Sequence, residues 1–124
     1  MKAREICPAV ALTDGGEGVE FEVLWNDEVL PAFAIRFRGV VYAYINRCSH
    51  MDLKLNFLHR NFLDLEQKHL ICSTHGALYN PATGACKSGP CGDTGLLPLA
   101  VFESEGKVEL EEQGVVVIRR EAQL

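Results

Sequence analysis

The dominant period of this chain is two, and nothing else in the sequence restricts its fold as strongly. Glu20-Phe-Glu-Val-Leu-Trp25 alternates charged and apolar residues, and Phe33-Ala-Ile-Arg-Phe-Arg38 sets Ile35 and Phe37 on one face with Arg36 and Arg38 on the other. Val40 to Ile45 is rich in β-branched and tyrosyl residues, Lys107-Val-Glu-Leu-Glu111 alternates again, and Val115 to Ile118 is an apolar run long enough only for a strand. Successive side chains of a strand point to opposite faces, so this pattern presents one face to a core and the other to water. Turn chemistry separates the runs: Asp14-Gly-Gly16, Asn26-Asp27, Asn80-Pro-Ala-Thr-Gly84, Glu103-Ser-Glu-Gly106 and Gln113-Gly114. The expectation is an all-β chain folded as a small antiparallel sandwich or barrel.

A length of 124 residues suffices for one buried core, so residues 1–124 are expected to form a single domain. The N-terminal run from Met1 to Leu12 holds Glu5 and Pro8, too broken for a secretory signal, and reads as a first strand. No stretch nears the roughly 20 apolar residues of a membrane span. The net charge of −5 gives no electrostatic reason to bind nucleic acid or an anionic membrane. A cytoplasmic location is expected. One segment resists the period: Asp52 to Gln67 carries leucines and phenylalanines that suit neither a strand nor one clean helix, and reads as a long connection holding a helical turn.

Five cysteines, an odd number, point to metal or redox chemistry in place of a disulfide framework. Two of them are paired with histidines at the ends of strand-like runs. Cys48 and His50 form a C-x-H pair, Cys72 and His75 a C-x-x-H pair, and residues 51–71 lie between them. Two thiolates and two imidazoles suit several metals, and a tetrahedral zinc site in an interaction domain is the plain rival. The C-x-H spacing is tighter than zinc ligands usually show, and each histidine is paired with a cysteine.

In its ordered features the chain resembles the Rieske proteins, which hold a two-iron, two-sulfur cluster. The likeness runs from about Val40 to Glu109. It takes in the strand entering the first pair, Gly76 after the second histidine, the Tyr79-to-Gly84 turn, the Gly89-Pro90 loop and the closing strand Leu97 to Phe102. The resemblance implies one [2Fe-2S] cluster, with Cys48 and Cys72 on one iron and His50 and His75 on the other. It implies Gly76 and Tyr79 beside the cluster and Gly89 and Pro90 in a loop over it. The implied fold is a base sandwich plus a cluster-binding lobe spanning about residues 48–92.

Replacing two thiolates by imidazoles raises cluster potentials from about −400 mV to roughly −150 to +300 mV. High-potential relatives add a cysteine to each ligand loop, joined as a disulfide, and a serine just after the glycine. Here those positions are Leu53, Thr74 and Ala77, while the tyrosine position is kept as Tyr79. Each missing donor to cluster sulfur lowers the potential, so the lower part of the range is expected. The connection at 51–71 is a few residues longer than typical of the family.

The remaining candidates read plainly. Cys86 and Cys91 flank Lys-Ser-Gly-Pro and read as free thiols sooner than as a pair, and Cys7 as a small buried hydrophobe. His59 and His69 read as structural, Trp25, Phe33 and Phe37 as core, and Glu109 to Glu112 as a solvated edge. No nucleophile–base pair or phosphate loop appears, so no turnover is expected of the chain alone. Ending soon after its last strand, it is expected to be a free-standing ferredoxin. Its partners would be a flavin-containing reductase and a terminal oxygenase or other redox enzyme. The alternative is a small subunit or regulatory module of a larger oxidoreductase of nitrite-reductase type.

Overall fold

The computed structural model describes residues 2–48, 54–55, 62–64, 66–72, 76–89, 94–112 and 114–120. Eleven strands follow one another: β1 (Lys2–Pro8), β2 (Val19–Trp25), β3 (Glu28–Phe37), β4 (Val40–Ile45), β5 (Leu70–Ile71), β6 (Leu78–Tyr79), β7 (Cys86–Ser88), β8 (Pro98–Leu99), β9 (Val101–Ser104), β10 (Lys107–Glu112) and β11 (Val115–Arg120). A 3-10 turn, Ala9–Ala11, follows β1. The strands form three antiparallel sheets, ordered β1-β10-β9, β11-β2-β3-β4-β8 and β5-β6-β7. The all-β expectation holds, and the N-terminal run is the expected first strand.

The hairpin turns sit where the sequence punctuates it. Asn26 and Asp27 both adopt positive φ (53° and 61°) between β2 and β3, a conformation that short polar side chains tolerate. Arg38 and Gly39 do the same between β3 and β4, so Arg38 belongs to a turn and not to the strand face expected of it.

The first two sheets close a sandwich whose core includes Ile6, Phe21, Val23, Ala32, Ala34, Val108 and Leu110. Cys7 is buried there, as expected, and Trp25 packs against it from a half-buried position. Arg36 ties the sheets together: Nε donates to Leu12 O at 2.7 Å, Nη2 to Ala9 O at 3.2 Å, and Nη1 meets Glu103 Oε1 at 2.6 Å. That hydrogen bond raises the Arg36 pKa and lowers that of Glu103.

A second core lies on the opposite face of the same central strands. Along β3, Ala32 and Ala34 point into the sandwich, whereas Phe33 and Ile35 point the other way; all four are fully buried. In β4, Ala43 and Ile45 face the sandwich and Tyr44 the second core. Strand period two thus serves two interiors at once. The second core gathers Leu55, Phe62, Leu63, Leu70, Tyr79 and Leu96. Phe62 stacks on Phe33 with ring centres 4.1 Å apart and planes 6° apart.

Apolar residues of the 52–67 connection therefore cover β3. Among its described residues there is no helix, and Leu63 bridges to Leu70. The helical turn expected there, and His59, fall partly or wholly outside the described residues. Among the described residues no helix is long and apolar enough to cross a membrane.

Candidate metal centre

The small sheet β5-β6-β7 carries the site, and two of its strands are only two residues long. Strands so short are marginal alone, and these are ordered by the second core beneath them. β4 ends at Ile45 and delivers Asn46-Arg47-Cys48. The Asn46 N–H donates to Pro31 O at 2.8 Å, and its buried side-chain Oδ1 accepts the Leu55 N–H at 2.9 Å. That bond ties residues 46 and 55, the two flanks of the first ligand segment. Asn46 is the sole polar or charged residue buried as a whole among the described residues, and sequence reading passed over it. The available signal was an amide at the end of an apolar strand, two residues before a ligand.

β5 leads straight into Cys72. The Cys72 N–H donates to Ala77 O at 2.9 Å and the Gly76 N–H donates to Cys72 O at 2.8 Å. Two main-chain bonds on one residue fix where its sulfur lies. Gly76 has φ 74°, and a Cβ built there would meet nothing within 4 Å. Glycine is needed at that position for its dihedral, not for room.

Gly89 differs. Its φ is 94°, and a Cβ would lie 2.9 Å from Ala77 Cα and 3.4 Å from Gly76 O. The loop at Gly89 therefore runs against the backbone of residues 76 and 77. Pro90 lies outside the described residues, as do the expected ligands His50 and His75.

Cys48 and Cys72 both stand outside any disulfide and both are buried, at 1% and 0% exposure. The Tyr79 hydroxyl lies 3.6 Å from Cys48 Sγ inside the second core. Tyr79 is thus a packed core residue and a polar neighbour of the Cys48 sulfur. Ala77 is fully buried beside the loop, with no hydroxyl to offer. Among the described residues, no three His, Cys, Asp or Glu side chains converge as a metal group. The donor set available is two sheltered thiols on adjoining loops, one of them with a hydroxyl that can donate to a thiolate. Such sulfurs fit soft metal chemistry, iron–sulfur or zinc.

The turn beyond β6 buttresses the site. Asn80 Oδ1 accepts the Ala82 N–H at 2.8 Å, the Gly84 N–H donates to Asn80 O at 2.7 Å, and Tyr44 donates its hydroxyl to Pro81 O at 2.7 Å. Burial pushes the Tyr44 phenol far up, so it stays a neutral donor. One expectation fails here. Cys86 is disulfide-bonded, to a partner outside the described residues, and is not a free thiol. The free-thiol reading rested on the redox state of the compartment, which carries no information on local loop geometry. His69 is structural as expected: its Nδ1 lies 3.5 Å from Asp64 Oδ2.

Comparison with known proteins agrees with this geometry. No curated protein sequence matches the chain. Among solved structures it resembles the ferredoxin of carbazole 1,9a-dioxygenase from Nocardioides aromaticivorans IC177, with 19% identity and a TM-score of 0.70 over 91% of this chain and 100% of that one. The Sphingomonas yanoikuyae B1 ferredoxin superposes with a TM-score of 0.68 at 21% identity, over 90% and 100% of the two chains. A chain in the complex of reduced oxygenase and oxidized ferredoxin in carbazole 1,9a-dioxygenase gives 0.66 at 24% identity, over 87% and 91%. Residues 5–112, from the first strand to the last residue of β10, match the Rieske [2Fe-2S] domain. With sheltered cysteines on two loops and a third loop laid against the second of them, the chain belongs to the Rieske [2Fe-2S] domain family.

Proposed function

We propose that this chain binds one [2Fe-2S] cluster through Cys48, His50, Cys72 and His75 and carries single electrons from a flavin-containing reductase to a terminal oxygenase. The observation that supports this best is the pair of buried cysteines outside any disulfide, Cys48 and Cys72, with the Tyr79 hydroxyl 3.6 Å from Cys48 Sγ. When bound, the cluster supplies a one-electron couple, with the added electron favoured on the histidine-bound iron. The residues of this chain do the rest. Cys48 and Cys72 present thiolates away from water, Tyr79 donates to one of them, and Gly89 lets the third loop close over the second. Ala77 offers no second hydroxyl, which supports a midpoint low in the family range. The solved ferredoxins it resembles belong, by name, to a dioxygenase system or stand in complex with its oxygenase, and this favours an oxygenase as acceptor.

Purified protein should be brown, contain iron and sulfide, and give a reduced-state resonance with an average g below the free-electron value. A colourless protein with stoichiometric zinc would sink the reading in favour of an interaction domain. Substituting His50 or His75 by alanine should abolish the colour, and His59→Ala should leave it unchanged.

A further inference from the structure

The turn between β3 and β4, the segment before β5, the turn after β6 and strand β7 enclose an open cleft of about 420 Å³. Arg38, Lys68 and Lys87 line it together with His69, around an apolar floor that includes Phe37 and Tyr42. No aspartate or glutamate is among its described lining residues. On a chain of net charge −5 this is a local reversal of sign.

Each cation is held differently. The Arg38 guanidinium lies over the Phe37 ring, 5.0 Å from its centre. Stacking occupies the guanidinium face and leaves its N–H edge free to fork onto an oxyanion. Asp64 orders Lys68 and His69 by accepting both of their backbone N–H groups, at 2.9 and 3.3 Å. The His69 ring turns Nδ1 toward the same carboxylate, which puts Nε2 on the opposite edge. Lys68 pairs at 3.4 Å with Glu66, but both are exposed, and such a pair is easily exchanged for another. Lys87 comes from β7 and is exposed.

The cleft's place in the lobe matters. His69 stands immediately before β5 and Cys72 immediately after it, about 10 Å along an extended chain. The cleft therefore lies at the opposite end of the β5–β6 hairpin from the loop that bears the second ligand pair.

We propose that this cleft seats an acidic segment of a redox partner protein, a reading that rests on the electron-carrier function proposed above. A protein segment suits it better than a free anion. The cations come from three separate stretches of chain around an apolar floor. A strand of alternating acidic and apolar residues, with like side chains about 6–7 Å apart, can answer both features together. An acidic partner is repelled by the rest of this acidic chain, so a single basic cleft sets its orientation as well as its affinity. Docked there, the partner leaves the ligand loops uncovered by its anchoring segment.

The test uses the cluster-loaded protein and a fluorescein-labelled peptide of alternating glutamate and leucine, followed by anisotropy at low ionic strength. Saturable binding is expected. The double variant Arg38→Asn, Lys87→Glu should weaken it about tenfold or more, as should a rise to high salt. Asparagine accepts the positive φ of position 38, so the charge is removed without disturbing the turn. The control Lys107→Glu, on β10 of the far sheet, should leave binding unchanged.

The proposal is overturned by absence of saturable binding, by equal weakening in the control, or by inorganic phosphate binding the cleft more tightly than the peptide. The visible spectrum of the same samples separates the two claims. Coloured protein that ignores the peptide refutes only the docking cleft, and colourless protein that binds it refutes only the electron carrier.

Discussion

Tyr79→Phe isolates one hydrogen bond to a ligand sulfur. The tyrosyl ring is fully enclosed in the second core, and its hydroxyl lies 3.6 Å from Cys48 Sγ. Phenylalanine keeps the ring and its packing and deletes the oxygen. A metal-bound thiolate has no proton to give, so the hydroxyl must be the donor. A hydrogen bond to a charged group contributes about 1.5–3 kcal/mol. Most of that is present in both oxidation states and cancels in the potential. Only the strengthening on reduction survives, when the sulfurs become more negative.

If that strengthening is about a third of the total, it amounts to ~0.5–1 kcal/mol. At 59 mV per tenfold change for a one-electron couple, the midpoint falls by ~20–40 mV. The sign is fixed: loss of a donor disfavours the more negative, reduced form. Optically monitored redox titrations of both proteins, with the same mediators at one pH, measure the difference. A change below ~10 mV, or a rise, would refute the view that Tyr79 tunes the centre.

Two glycines at the site should respond differently to alanine. Gly76→Ala meets open space and carries only the cost of its φ of 74°, ~1–2 kcal/mol, whereas Gly89→Ala adds backbone overlap with Ala77 and should cost ~2–4 kcal/mol. Urea unfolding at constant m ranks them. For Asp64, burial alone would raise the carboxyl, but the Lys68 and His69 N–H groups and the His69 ring outweigh it and hold the pKa below its usual value. A folded-state pKa below the unfolded one means stability present in full above about pH 4 and lost as pH falls through the folded value, so Asp64→Asn should flatten the acid limb of the stability–pH curve. Phe33→Ala should cost ~3–5 kcal/mol. Because Phe33 faces the second core, amide exchange should quicken at Cys72 and Gly76 before it does at Val23.

The base sandwich was legible because period two is a local signal and its turns carry their own chemistry. The cysteine–histidine pairs stood out because metal chemistry restricts residue type and spacing together. What escaped was non-local. The alternation in 33–38 set Ile35 and Phe37 against Arg36 and Arg38 and gave Ala32 and Ala34 no core role, yet both faces of β3 are interior over residues 32–35. Nothing in the alternation distinguishes a strand with one buried face from a strand with two when the second set is alanine. The 52–67 connection has no period because its apolar residues answer to β3, against which Phe62 stacks, and not to one another. The basic cleft draws Arg38, Lys68 and Lys87 from positions far apart in sequence, so no window of the chain could reveal it. Asn46 escaped because a single amide has no pattern, although its side chain ties Leu55 to the end of β4.

These features bear on how a lobe with so little regular structure can hold a redox centre still. Electron transfer favours a site whose geometry changes little between oxidation states. β5 and β6 contribute two residues each, too few to be rigid by themselves. The stiffness comes from two other sources. One is main-chain hydrogen bonding at the ligands: Cys72 is held by Ala77 and by Gly76, and the first ligand segment is closed through Asn46. The other is the second face of β3 and β4, strands already fixed by the sandwich, which supply Phe33, Ile35 and Tyr44 as a preformed floor. The sandwich thus acts as the template on which the ligand loops are laid. A lobe ordered this way can change its loop residues, and with them its potential, while the strands beneath stay the same.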